Sequence, residues 1–294
     1  MLIVRLLAET STLAANLDKA REELAAKGWP VAMAEPVWSG MDAVELLLPE
    51  GEAEGVRAVL DARFRPSDVL IADAPIDLPR VFVSDMDSTM IAAECIDELA
   101  DFAGIKPQIA AITERAMQGE LDFASALTER VALLRDLSEG AIAECLATRI
   151  APMPGAKVLV ETLKARGCRT VLVTGGFHQF ADPVAEQLGF DRVVANRLEV
   201  IGGKLTGGLV GGITDSGVKK AVLLEEAALL GDKTISLAMG DGANDIPMLE
   251  AATYGVAFDA KPKARDAADG WIDRGNLTGM LELLGVRRGD WVWE

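Results

Sequence analysis

Three short apolar runs in this sequence break off into polar or glycine-rich chain. Val81-Phe82-Val83 leads into Ser84–Thr89, Thr170–Val173 into Thr174-Gly175-Gly176, and Ile235–Met239 into Gly240–Asp245. Runs of this length, separated by stretches with helical apolar spacing, read as buried strands of an α/β domain with a mostly parallel sheet. In open sheets of that kind, sites form beyond the carboxyl ends of the strands. Three such ends carrying carboxylates, hydroxyls and glycines therefore point to one shared crevice.

About 80 residues separate the first two strands, although a crossover needs only a dozen or more. The excess, about 92–150, carries helical spacing such as Leu127, Val131 and Leu134. It reads as a helical cap inserted after the first strand, placed to close over the crevice. Asn196–Ile201 and Lys204–Val210 flank Gly202-Gly203, a hairpin signal. Upstream, the pattern predicts strand Leu2–Leu7, helix Thr10–Lys27, strands Val31–Trp38 and Ala43–Leu48, helix Gly55–Phe64 and strand Val69–Ala72. This β-α-β-β-α-β order is the ferredoxin-like arrangement. Ala74–Arg80, with two prolines, reads as a linker. The expected division is an N-terminal unit over 1–78 and a larger domain over 79–294.

The formal net charge of −17 disfavours nucleic acid and anionic lipid as partners. A phosphate site on such a chain must build positive potential locally, from a metal and a few placed cations. No apolar stretch approaches the ~20 residues of a membrane span. The N-terminus lacks a basic n-region and an A-x-A cleavage site, so a signal peptide is not expected. The three cysteines, Cys95, Cys145 and Cys168, are odd in number and widely spaced. That argues for reduced core thiols and a cytoplasmic location.

Asp85-Met86-Asp87-Ser88-Thr89 places two carboxylates at i and i+2, on one face if the strand continues. Such a pair repels unless a cation or proton separates it. Carboxylate oxygens suit Mg²⁺. The pair also suits covalent catalysis, one carboxylate attacking phosphorus and the other moving protons. The plainer reading is an acidic loop capping a helix. In Gly240-Asp241-Gly242-Ala243-Asn244-Asp245 the glycines permit tight turns, and Asn244 or Asp245 could cap a helix starting near Ile246-Pro247. Thr174-Gly175-Gly176 offers a hydroxyl and open backbone N–H groups for phosphoryl oxygens, or is a plain turn. Lys219-Lys220 lies near the start of a helix capped by Asp215 or Ser216. Exposed lysines are the default. His178, the single histidine, sits at a helix start without the arginine-rich pocket that phosphohistidine chemistry needs.

Taken in order, D-x-D-S-T, T-G-G, a lysine and G-D-G-x-N-D resemble the haloacid dehalogenase superfamily of phosphotransferases, over roughly Val81 to Phe258. Within it the chain is most similar to the phosphoserine phosphatases. Glu94, then Ala116-Met117-Gln118-Gly119, Phe123 and Glu129-Arg130-Val131, look like that family's substrate-recognition pattern. The N-terminal unit resembles the ACT-like extension of longer members. The resemblance implies a Rossmann-like parallel-sheet core and hydrolysis of O-phospho-L-serine through an aspartyl phosphate, the last step of serine biosynthesis. It implies Asp85 as nucleophile and Mg²⁺ ligand, and Asp87 as general acid and base with its backbone carbonyl on the metal. Asp241 would be the third ligand. Ser88, Thr174, Gly175, Asn244 and a lysine, Lys219 or Lys220 with Lys219 favoured, would hold the phosphoryl group, supported by Asp245. Glu94 would pair with the substrate ammonium, Arg130 with its carboxylate, and Met117 and Phe123 would cover its apolar side. A phosphotransferase, or a phosphatase for another small phosphomonoester, keeps the same chemistry. A silent regulator would have no reason to retain Asp85, Asp87, Asp241 and the lysine together. The expected partner is a small-molecule substrate, and a homodimer is left open.

Overall fold

The computed structural model describes residues 1–118 and 120–293, and of Met117 only the backbone. The first unit comprises β1 (Leu2–Leu7), α1 (Thr10–Ala26), β2 (Met33–Pro36), β3 (Val44–Leu48), α2 (Ala53–Phe64) and β4 (Asp68–Ala72). Its strands lie in the order β2-β3-β1-β4, all antiparallel, as the ferredoxin-like reading requires.

The larger part begins with β5 (Val81–Ser84), followed by four cap helices: α3 (Cys95–Phe102), α4 (Lys106–Met117), α5 (Phe123–Ala132) and α6 (Glu139–Arg149). The chain then returns through α7 (Ala156–Ala165), β6 (Arg169–Phe177), α8 (His178–Leu188) and β7 (Arg192–Asn196). A hairpin, β8 (Leu198–Ile201) and β9 (Lys204–Leu209), precedes α9 (Ser216–Leu230) and β10 (Ser236–Gly240). The last elements are α10 (Ile246–Leu249), β11 (Tyr254–Phe258), α11 (Pro262–Ala267), β12 (Gly270–Ile272) and α12 (Thr278–Leu283). The parallel strands run β12-β11-β10-β5-β6-β7, with β5 and β10 side by side near the middle.

The two parts share one sheet. β12 pairs antiparallel with β4, which makes ten strands continuous. At this seam a Cβ on Gly270 would collide with the Val69 carbonyl. One face of β1 packs with α1 and α2 through Val4, Leu6, Leu24 and Leu60. The other joins the core containing Met280 and Leu283 of α12. Burial on both faces explains why Leu2–Leu7 is apolar almost throughout instead of alternating. The one charged member, Arg5, is held by Glu45 (2.8 Å) and by the Leu283 carbonyl (2.9 Å).

Three of the boundaries that differ from expectation lie at the crevice. β5 stops at Ser84, so strand alternation does not bring Asp85 and Asp87 together. β6 runs on through Gly175 and Gly176 to Phe177, where a plain turn was one expectation. Its register against β7 shifts between Val173 and Phe177, so the glycine pair bulges out of the ladder. Asn196 belongs to β7 and not to the hairpin.

The hairpin docks on the cap. Asp136 N–H donates to the Leu205 carbonyl, Leu205 N–H to Leu137 and Glu139 N–H to Gly203, each at 2.9 Å. Cap and hairpin are thus joined by main-chain bonds.

Candidate active site

The turn after β5 is wound tightly by its own backbone. Thr89, Met90 and Ile91 all direct N–H groups to the Met86 carbonyl, and Ser88 takes a φ of 55°. Asp85 is anchored to the neighbouring strand, its N–H donating to Met239 at 2.9 Å. This winding, together with the ends of β6 and β10, brings Asp85, Asp87, Thr174, Gly175, Asp241 and Asn244 onto a cavity of about 330 Å³. The cap closes the other side with Glu94, Phe123 and Arg130.

Beneath the floor lies a buried charged layer. Lys219 has no exposed surface, and its Nζ stands 2.8 Å from Asp85 Oδ1 and 2.7 Å from Asp245 Oδ1. Lys220, one residue on, faces solvent. The structure therefore separates the two adjacent lysines: only Lys219 reaches the carboxylates. Its helix begins where Asp215 Oδ1 accepts the Val218 N–H at 2.9 Å. Asp245 does not cap α10. Its carboxylate accepts from Lys219 and, at 3.0 Å, from Gly242 N–H. The helix-capping reading of that turn fails because the carboxylate is drawn inward by an ammonium.

Electrostatics follow from enclosure. Burial, and then the Asp245 carboxylate, push Asp85 well above the usual carboxylate range, against the pull of Lys219. Burial opposes the Lys219 charge, yet Asp85 and Asp245 outweigh it and keep the ammonium protonated. Asp87 is pushed up to about 7 by burial and the nearby Glu94 carboxylate, while a hydrogen bond from Cys95 N–H (3.1 Å) works the other way. Asp241 is raised by burial and partly relieved by Lys261, whose Nζ lies 3.4 Å away. Oxygen atoms of Asp85, Asp241 and Asp245 come within 4.8 Å of one another. Three buried carboxylates against Lys219 and Lys261 leave negative charge in excess, and an all-oxygen donor set suits a hard divalent cation.

At the cap end, Arg130 is half-buried, and burial lowers its pKa against the pull of Asp97 and Glu94. Its Nε bonds to the Ala126 carbonyl at 3.3 Å, and among the described residues its terminal nitrogens take no protein acceptor. Phe123 rises over Gly175: a Cβ there would meet the ring at 3.0 Å. Ser88 is placed differently from the phosphate-binding expectation. It does not line the cavity, and its hydroxyl donates to Glu94 Oε1 at 2.9 Å. The Met117 side chain and Gly119 lie outside the described residues. His178 pairs with Asp182 at 2.7 Å, one helical turn along α8. All three cysteines are buried and free, as expected.

The sequence reading missed Asp97, Lys261 and Asn196. Lys261 lies just past the end of β11, where the strand-end rule would have found it had it been carried beyond Phe258. Asn196, the last residue of β7, is open to the same rule.

Comparison with known proteins agrees with this geometry. The family model of haloacid dehalogenase-like hydrolases matches residues 82–250. The phosphoserine phosphatase of Streptococcus thermophilus is 47% identical over 205 residues, covering 69% of this chain and 95% of that protein. The phosphoserine phosphatase SerB2 of Mycobacterium tuberculosis is 45% identical over 214 residues, 72% of this chain, and the match spans about half (52%) of its length. A probable phosphoserine phosphatase from Vibrio cholerae, solved unliganded, superposes with a TM-score of 0.76 at 34% identity, over 98% of this chain and 87% of that one.

Proposed function

The chain belongs to the haloacid dehalogenase-like hydrolase family, among its phosphoserine phosphatases, and from that premise we propose that it hydrolyses O-phospho-L-serine with Asp85 as the covalent nucleophile. The observation that carries the reading is the polarity of the cavity. The core side holds Asp85 over Lys219, with Thr174, Gly175 and Asn244; the cap side holds Arg130, with Glu94 near both Arg130 and Asp87. A phosphate group fits the first end. A carboxylate and an ammonium on one small carbon skeleton fit the second, where a guanidinium offers a planar fork.

In the cycle, an Asp85 oxygen attacks phosphorus as the bond to the serine oxygen breaks, and Asp87 gives that oxygen its proton. Water then attacks phosphorus, Asp87 takes the proton, and Asp85 leaves as a carboxylate. A group near pKa 7 is suited to both transfers at neutral pH. Lys219 neutralises charge on the transferred group. Asp85 and Asp241, with the Asp87 main-chain carbonyl, would hold Mg²⁺, which when bound supplies Lewis-acid polarisation and orientation of the phosphoryl oxygens. Asp245 keeps Lys219 in place. Phe123 and the cap exclude water.

We also assign residues 1–78 as a ferredoxin-like unit and 79–294 as the catalytic domain, place the protein in the cytoplasm, and leave a homodimer to measurement. Among the described residues no helix is long and apolar enough to cross a membrane.

Phosphate release should be measured on phosphoserine, glycerol phosphate and nitrophenyl phosphate, with Mg²⁺ and with EDTA. Phosphoserine should be preferred and EDTA should abolish turnover. Preference for glycerol phosphate, or transfer to an added alcohol in place of water, would contradict the reading.

A further inference from the structure

We infer that Asn196 is a positioning residue that sets the distance between the two elements gripping the phosphoryl group: the bulge at the end of β6 and the start of the Lys219 helix. The inference deepens the phosphatase reading and rests on it.

The chain leaves the sheet at Asn196, makes the hairpin docked on the cap, and returns at Thr214. Asn196 is 1% exposed and satisfies both ends of its amide at this crossing. Its Nδ2 donates to the Gly175 carbonyl at 2.7 Å. Its Oδ1 accepts the Thr214 N–H at 2.8 Å. Each contact falls where regular structure gives no help. Gly175 lies in the register shift between Val173 and Phe177, where β7 supplies no ladder partner. Thr214 is one residue before Asp215, the cap of α9, and Lys219 follows within that helix. One planar amide therefore ties the Thr174-Gly175 bulge to the helix that places Lys219 Nζ 2.8 Å from Asp85. It also closes the two feet of the hairpin, so that cap displacements carried by the hairpin stop at Asn196 and do not reach the phosphate-contacting backbone.

Asparagine is specific here. A carboxylate could accept from Thr214 N–H but would set an oxygen against the Gly175 carbonyl. A leucine of similar size would bury both main-chain groups unpaired. Asn196 touches neither substrate nor Asp85, so its effect must pass through Gly175 and α9.

The test uses the full chain and inorganic phosphate as the probe of the phosphoryl end. Asn196→Ala and Asn196→Asp should each weaken competitive inhibition by phosphate about tenfold, the scale of one lost hydrogen bond. They should slow phosphoserine and nitrophenyl phosphate alike, because both present the same phosphoryl group. Thr170→Val is the matched control. It removes the hydroxyl that donates to Asp191 Oδ2 at 3.1 Å and accepts the Asp191 N–H at 3.2 Å, two bonds at the opposite end of β6 from the bulge. At an equal loss of melting temperature it should leave phosphate inhibition unchanged. If Thr170→Val weakens phosphate binding as much as Asn196→Ala, or if the Asn196 variants bind phosphate normally, the assignment is overturned. Should Asn196→Ala fail to fold, Asn196→Asp against the same control decides. A wild-type enzyme that hydrolyses nitrophenyl phosphate but not phosphoserine would remove the substrate reading while leaving this comparison intact.

Discussion

At the residue scale, the proposed function divides the cavity into a phosphoryl end over Lys219 and an amino-acid end at Arg130. Arg130 belongs to the second. Its terminal nitrogens take no acceptor among the described residues, which leaves a fork for an incoming carboxylate. Arg130→Ala should therefore lower kcat/KM for phosphoserine roughly 10- to 150-fold, the range set by a charged hydrogen bond of ~1.5–3 kcal/mol. A phosphate ester without a carboxylate should lose much less. Steady-state kinetics on both substrates checks this, and equal losses would count against the assigned polarity. That Asp85, Thr174 and Asp241 share one cavity was legible in the sequence because each follows an apolar strand, whereas the choice between Lys219 and Lys220 near the start of α9 needed the fold. The direction of the Ser88 side chain was not legible, because counting residues does not aim a side chain in a left-handed turn position. Asn196 and Lys261 were missed because single polar residues after short strands carry little weight without the fold.

At the element scale, the cap and the β8–β9 hairpin act as one covering piece. Gly207 shows how close the contact is. It has a φ of 80°, and a Cβ there would stand 3.1 Å from the Ala132 carbonyl and 3.2 Å from Arg135 Cβ. Gly207→Val should combine backbone strain of roughly 1–2 kcal/mol with displacement of the hairpin from α5. The expected result is a higher KM for phosphoserine, which needs the cap residues, with turnover of nitrophenyl phosphate largely kept. Hydrogen exchange should show faster opening confined to β8, β9 and α5. Unchanged exchange with an unchanged KM would mean that the contact has no role in closure. Element order was readable from periodicity in the N-terminal unit, for β5, β6 and β10, and at the hairpin over Gly202-Gly203. The exact ends of β5 and β6 were not, because hydrogen-bond register decides them and apolar composition does not.

At the scale of the whole molecule, the ten-stranded sheet makes the two parts structurally continuous, a feature no local pattern announces. Asp68 stands at the join. It is buried at the start of β4, pairs with Ile272 of β12, and accepts the N–H groups of Asp273 and Arg274 at 3.1 Å each. Burial raises its pKa to about 7 from 3.8, partly offset by those bonds and by Arg274. A carboxyl that holds its proton more tightly when folded contributes stability that is complete below about 3.8 and lost as pH rises through about 7. Asp68→Asn should therefore match the wild type near pH 4 and be the more stable of the two at pH 8. The upper bound is about 4 kcal/mol, from roughly three pKa units at 1.36 kcal/mol each. Urea unfolding across that pH range is the check. A variant less stable than wild type at pH 8 would show that the charged carboxylate is stabilising at the seam.

In the proposed mechanism Asp85 carries the phosphoryl group while Asp87 moves protons. Asp87→Asn separates the two tasks. A nitrophenol leaves without a proton, so the first step should survive with that ester, whereas serine release should fall by the 10²–10⁴-fold typical of general acid–base help. Hydrolysis of the intermediate still needs the base. The decisive measurement is rapid-quench nitrophenol release by Asp87→Asn, with mass mapping of the stalled enzyme. The expected result is a burst of about one nitrophenol per active site and a single phosphoryl group on Asp85. A phosphoryl group on any other residue, or equal slowing of both substrates without a burst, would contradict it.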